Sequence, residues 1–104
     1  MVNKERGEVA LKISGKTYTL CLDMDGLAKL ENEYDTTLAD IGEVLEKASS
    51  TQIREILLVM LHCGGQEDLT MEDLGKWPIK IGRMARAIGE VLSSAIDDDD
   101  KAPA

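Results

Sequence analysis

Alternating apolar and polar residues near the start of the chain predict a β-hairpin. Every second side chain is apolar in two short runs: Val9, Leu11 and Ile13, then Tyr18, Leu20 and Leu22. A period of two places these side chains on one side of each strand. Ser14-Gly15-Lys16 supplies the turn between the runs, because Gly15 adopts a positive φ without steric cost. An isolated hairpin is only marginally stable in water, so downstream helices must cover its apolar side.

Beyond the hairpin, apolar residues recur at helical spacing and predict four to five helices. Asp23 is expected to cap the first helix, which ends near Tyr34. A break at residues 35–37 precedes a second, short helix with Leu38, Ile41, Val44 and Leu45 facing inward. The next helix is expected to begin after a cap at Ser50 or Thr51.

This third helix is the most apolar segment and is expected to form the centre of the core. Its apolar residues are Ile53, Ile56, Leu57, Leu58, Val59, Met60 and Leu61. Cys63-Gly64-Gly65 ends it, since a glycine past the last turn can adopt the left-handed conformation. Thr70 caps a predicted fourth helix, and Trp77-Pro78 separates it from the last one. The last helix has Ile81, Met84, Ala85, Ile88, Val91, Leu92 and Ala95 on one face.

Together these patterns predict an α+β fold, with an N-terminal antiparallel β-hairpin packed against four to five helices in a predominantly helical chain. Residues 1–96 form one predicted domain, and residues 97–104 an acidic, disordered tail with little apolar surface to bury. The run Asp97 to Asp100, followed by Lys101, also matches the recognition sequence of enteropeptidase. A native and an engineered origin of the tail both stay open.

Composition and charge argue against several classes of function. Apolar residues make up 43% of the chain, but aromatic residues only 3%, with no Phe, so an aliphatic core is expected. The formal net charge of −8 argues against binding to nucleic acids or anionic membranes, which require a basic surface. The sequence shows no signal-peptide pattern and no apolar run of membrane-spanning length, so a cytoplasmic protein is expected.

The chain shows no constellation of catalytic or metal-ligating residues. His62 and Cys63 are adjacent, and neighbouring helical residues point about 100° apart, so they are not placed to share a proton. Adding Cys21 gives at most three ligands, without the spacing of a structural zinc site. We expect no enzyme activity, no cofactor, no metal and no disulfide between the two cysteines.

Five apolar residues are candidate contacts for a protein partner: Leu57, Met60, Trp77, Met84 and Leu92. Tryptophan is enriched at the centres of protein interfaces, and methionine adapts to irregular apolar partners. The alternative for each of the five is a position in the core of the domain.

Three segments resemble the N-terminal signature of a small phage-derived family. They are Arg6-Gly7-Glu8-Val9, Gly15-Lys16-Thr17-Tyr18-Thr19-Leu20 and Leu27-Ala28-Lys29-Leu30-Glu31. The family is encoded in the tail-gene clusters of gene transfer agents and siphophage-like prophages. Its members are described as tail tube or tail assembly chaperone proteins.

The resemblance implies a non-enzymatic tail assembly protein in the bacterial cytoplasm, a chaperone that binds the tape-measure protein and helps the tail tube protein polymerise around it. The alternatives are a structural subunit of the tail tube, or a small host adaptor that binds a partner helix. A tube wall requires more β-structure than one hairpin offers, which favours the chaperone. The strand edges of the hairpin are expected to be open for pairing with a neighbour, so a homo-oligomer is left open.

Overall fold

Two strands and five helices make up the described part of the chain. The computed structural model describes the backbone of residues 8–37 and 39–101, and the side chains of these residues as far as residue 94. The elements are β1 (Val9–Ile13), β2 (Lys16–Leu20), α1 (Met24–Tyr34), α2 (Ile41–Lys47), α3 (Ser50–Cys63), α4 (Met71–Gly75) and α5 (Ile81–Lys101). The predicted α+β fold, a hairpin in a predominantly helical chain, is confirmed.

The hairpin closes through a turn of two residues. β1 and β2 pair antiparallel with Ile13 opposite Lys16, so Lys16 belongs to β2 and not to the turn. Ser14 and Gly15 have φ values of 51° and 82°, and two positive φ values match the twist of a hairpin. The predicted apolar side faces the core: Leu11, Ile13 and Leu20 are buried, and Val9, Tyr18 and Leu22 pack against them.

α3 lies at the centre of the core, as its apolar sequence predicts. Its buried residues are Ile53, Ile56, Leu57, Val59, Met60 and Leu61. It contacts β2, α1, α4 and α5, because a helix that is apolar on most of its surface requires neighbours on several sides. The buried core is aliphatic, and the partly buried aromatic residues pack around it.

The start of α3 corrects the sequence prediction by one residue. Ser49 Oγ accepts a 3.2 Å hydrogen bond from the backbone N–H of Gln52, and Gln52 Oε1 accepts a 2.9 Å bond from the N–H of Ser49. Ser50, one of the two predicted caps, is the first helical residue, and Thr51 follows it. Of these three hydroxyl residues, only Ser49 has a glutamine three positions later, which the reciprocal capping box requires.

The start of α2 also differs from the prediction. The break at 35–37 is present, with Asp35 in the left-handed conformation at φ 50°. The helix begins only at Ile41, and its N-cap residue Asp40 makes no side-chain capping bond. Ile41 is buried as predicted, whereas Leu38 lies outside the described residues.

α1 lies close to α3 at both of its ends. The hydroxyl of Tyr34 donates a 2.6 Å hydrogen bond to Oε1 of Glu55, and burial together with the Glu55 carboxylate raises the pKa of Tyr34. At the other end of α1, a Cβ on Gly26 would lie 2.6 Å from Sγ of Cys63. Gly26 lowers the stability of α1 because glycine has a low helix propensity. Its missing side chain, however, allows α1 to approach the end of α3.

α5 packs its apolar face on the core. Its buried residues are Met84, Ala87, Ile88, Val91 and Leu92. Ile81, predicted to lie on this face, is 46% exposed because it begins the first turn, before the helix reaches the core. The backbone of α5 continues to Lys101, and residues 102–104 lie outside the described residues. The division into a domain over 1–96 and a tail over 97–104 stays a prediction.

Candidate interaction surface

The five predicted partner contacts fall into two groups in the structure. Leu57 and Met60 on α3, and Met84 and Leu92 on α5, are buried in the core. Trp77, in the connection between α4 and α5, keeps part of its surface accessible. In the isolated chain, four of the five therefore contribute to the core, and a role in partner binding stays a prediction.

Trp77 packs against the hairpin. Its ring centroid lies 4.7 Å from that of Tyr18, with 36° between the ring planes. Nζ of Lys16 lies 5.3 Å from the centroid of the Tyr18 ring. The N–H of Ile79 donates to the carbonyl of Trp77 at 2.9 Å, so the chain turns sharply at Pro78. The result is a partly exposed aromatic pair with a cation beside it, a composition that is common at protein interfaces.

An open cavity of about 300 Å³ adjoins this aromatic pair. Its walls are formed by Lys16, Thr17, Tyr18, Gly65, Gln66, Asp68 and Leu69. These lining residues include an amine and a carboxylate but no histidine or cysteine. Tyr18 thus belongs both to the wall of the cavity and to the aromatic pair.

Gln66 closes the outer edge of β2. Its Oε1 accepts a 2.9 Å hydrogen bond from the N–H of Thr19, and its Nε2 donates 2.8 Å bonds to the carbonyls of Thr19 and Leu61. The side-chain amide thus occupies both groups of Thr19 that a further strand would need. Two residues along, the N–H of Cys21 donates to the carbonyl of Met60 at 3.1 Å. The expectation of open strand edges is wrong for this part of β2.

No local sequence pattern identifies Gln66 as a strand partner. It lies in the loop after α3, outside the apolar periodicity, and pairs with a residue 47 positions earlier in the chain. The one sequence feature that points to Gln66 is its position directly after Gly64-Gly65. Gly65 has a φ of 108°, which reverses the chain direction so that the following residue folds back over β2.

The histidine and the cysteines belong to separate structural contacts. Nε2 of His62 lies 2.8 Å from the carbonyl oxygen of Leu69, whereas the thiol of Cys63 donates to Oδ1 of Asp23 at 3.3 Å. Burial raises the pKa of the Cys63 thiol, which disfavours the nucleophilic thiolate. Neither Cys21 nor Cys63 is in a disulfide. Within residues 8–37 and 39–94, no three His, Cys, Asp or Glu side chains group closely enough to hold a metal ion.

A comparison with protein families decides the class of this protein. The family model described as phage tail tube protein, GTA-gp10, matches residues 6–98. The chain belongs to this tail tube family. Comparisons with curated proteins and with solved structures give no significant match.

The region that matches the tail tube family includes the hairpin, α1 to α4 and most of α5. It therefore extends the resemblance from the hairpin and first helix to the C-terminal half of the domain. The protein is related to the tails of phages and gene transfer agents. None of the described helices combines the length and the apolar character that crossing a membrane requires.

Proposed function

We propose that this tail tube family protein is a tail assembly chaperone, which binds the tape-measure protein and promotes polymerisation of the tail tube protein around it. The observation that carries the proposal is the small amount of strand structure. The described residues contain a single hairpin of two five-residue strands, and Gln66 closes part of one outer edge. A tube wall with a continuous β-barrel requires strand pairing on both sides of every subunit.

The surface of the domain suits a binding function without catalysis. Trp77 is partly accessible, and Met24, 80% exposed, and Ile81 are exposed large apolar side chains among the described residues. Apolar contacts of this kind can cover the apolar stripe of an amphipathic helix, while the net charge of −8 keeps the complex in solution. The proposal includes a cytoplasmic place of action and no catalytic step.

A structural subunit of the tail tube is the second candidate function. The description of the family names a tail tube protein, which fits a subunit better than a chaperone. A subunit with this fold would contact its neighbours mainly through its helices and the partly exposed pair of Tyr18 and Trp77. A host adaptor, the third alternative, gains no support from the family match.

Co-expression with the tape-measure and tail tube proteins encoded by neighbouring genes tests these functions. Co-elution with the tape-measure protein on size exclusion, with rescue of its solubility, supports the chaperone. Rings or tubes formed by the chain alone support the subunit. Mass spectrometry of purified tails separates the two again, since a subunit remains in the particle and a chaperone does not. A monomer that binds neither protein contradicts both.

A further inference from the structure

The outer edge of β1 has unpaired backbone groups at Ala10. Ala10 lies opposite Thr19 in the hairpin, and the N–H and carbonyl of Thr19 point outward to Gln66. Because opposed residues in an antiparallel pair direct these groups either toward each other or both away, those of Ala10 point away from β2. Ala10 is exposed, and its outward groups have no hydrogen-bond partner among the described residues. A further strand can therefore pair with β1 at this position.

The two edges of the hairpin differ in how they are covered. On the outer side of β1, the carbonyl of Lys12 accepts a 2.6 Å hydrogen bond from Nη2 of the exposed Arg83. On the outer side of β2, Gln66 pairs with the backbone of Thr19, and the main chain of Gly64 packs directly against the Thr19 carbonyl. An exposed arginine can rotate away from an incoming strand, whereas a packed loop cannot. Two copies of the chain can therefore pair through β1 with β1, but not through β1 with β2 beside Thr19.

The charges along the β1 edge are self-complementary. Glu8 lies two residues before Ala10 and Lys12 two residues after it, so the period of two places the three side chains on one side of the strand. When two copies of β1 pair antiparallel with Ala10 opposite Ala10, Lys12 of each copy lies opposite Glu8 of the other. Such cross-strand pairs of opposite charge are stabilising, and the two-fold axis produces the pair twice. Registers centred on Glu8 or on Lys12 would instead place like charges opposite each other, so the charges favour the register centred on Ala10.

We propose that two copies of this chain form a dimer by antiparallel pairing of their β1 strands. The two Ala10 residues exchange N–H to carbonyl hydrogen bonds at the two-fold axis, and a pair of Lys12 and Glu8 lies on each side of it. As the strands pair, Arg83 releases the Lys12 carbonyl, and the Glu8 carboxylate of the second copy becomes its new partner. The resulting sheet has four strands, with β2 at both outer edges. The dimer is independent of the proposed chaperone function, so the failure of either leaves the other standing.

Charge reversal tests the register, with sedimentation velocity of the isolated chain measuring the dissociation constant of the dimer. Lys12→Glu places two carboxylates opposite each other on both sides of the axis, and Glu8→Lys places two amines there. Each variant alone is expected to dimerise about tenfold more weakly than the wild type. An equimolar mixture of the two variants is expected to recover dimerisation, because a carboxylate again lies opposite an amine on both sides. A wild type that stays monomeric at millimolar concentration, or a mixture that dimerises no better than its components, overturns the proposal.

Variants of Ala10 test the backbone pairing. Ala10→Pro removes the outward N–H at a position where an edge strand tolerates proline, and we expect at least about tenfold weaker dimerisation because both central hydrogen bonds are lost. Ala10→Val keeps the N–H and is the matched control; circular dichroism verifies that both variants fold. Wild-type dimerisation of a folded Ala10→Pro variant overturns this interface.

Hydrogen exchange by NMR locates the contact in the wild type. The Ala10 amide is expected to exchange more slowly as the protein concentration rises, whereas the Thr19 amide is protected by Gln66 at every concentration. Protection of Ala10 that appears only with a co-expressed tail protein would assign the β1 edge to that protein and overturn the dimer.

Discussion

Gly64 lies so close to Thr19 that a Cβ on Gly64 would overlap the carbonyl oxygen of Thr19. The φ of Gly64 is −81°, a conformation that any L-residue adopts, so the position requires glycine for space alone. The end of α3 and β2 thus touch through their main chains. This contact holds the Thr19 backbone where the side chain of Gln66 pairs with it.

Gly64→Ala is expected to destabilise the domain by about 3 kcal/mol, because the backbone of β2 must move to admit a methyl group. Gly42→Ala is the matched control, since no atom lies within 4 Å of an added Cβ in α2. This control is expected to stabilise the domain by about 0.5–1 kcal/mol through helix propensity. Urea denaturation measures both changes. Equal stability of the two variants would contradict the proposed close contact.

Gln66→Glu is expected to make stability depend on pH. An ionised carboxylate cannot donate to the carbonyls of Thr19 and Leu61, which raises its folded-state pKa above the ordinary value of about 4.3. The stabilisation from the protonated form is complete below about pH 4 and is lost as pH rises through that raised pKa. We expect a cost of about 2 kcal/mol at pH 7 and a smaller one at pH 4.

Gln66→Leu is the control for this pH dependence, because it removes the same hydrogen bonds without adding a titratable group. Its stability relative to wild type is expected to be the same at pH 4 and pH 7, as measured by thermal or urea unfolding. Parallel pH profiles of the Glu and Leu variants would show that the amide of Gln66 is not paired with the strand.

Tyr34→Phe is expected to cost about 1 kcal/mol at pH 7, because the hydrogen bond to Glu55 is lost. The raised pKa of Tyr34 means that the folded state binds the phenolic proton more tightly than the unfolded chain does. This contribution is complete below about pH 10 and is lost as pH rises further. The difference in stability between wild type and variant should therefore shrink above pH 10.

Absorbance at 295 nm checks the assignment directly. The chain has two tyrosines, so a titration of the wild type should show one phenol that resists ionisation until the domain unfolds. This component should be absent in Tyr34→Phe. A wild-type titration in which no phenol resists ionisation would rule out the Tyr34–Glu55 contact.

Ser49→Ala is expected to destabilise the domain by about 1 kcal/mol, since it removes half of the capping box that begins α3. Ser50→Ala changes a neighbouring hydroxyl that makes no capping bond, and a change of less than about 0.5 kcal/mol is expected. Thermal unfolding of the two single variants gives the comparison. A larger loss of stability in Ser50→Ala than in Ser49→Ala would contradict the capping role of Ser49.

The hairpin and the order of the helices could be predicted because local patterns specify them. Period-two alternation determines which side of β1 and β2 is buried, and the apolar run in α3 indicates the central helix. The closing of β2 by Gln66 could not be predicted, since it depends on a side chain that reaches a distant strand. The same limit applies to Met84 and Leu92, because apolar helical periodicity predicts burial equally well when the neighbour is the same chain or a partner.

The closed outer edge of β2 limits how a sheet can grow from this hairpin. A β-sheet grows without end only if each added subunit presents a new free edge to the next. Here the amide of Gln66 occupies the position at which the next subunit would pair. A further strand therefore cannot pair with β2 beside Thr19 unless Gln66 is displaced. On the β2 side, the hairpin ends the sheet.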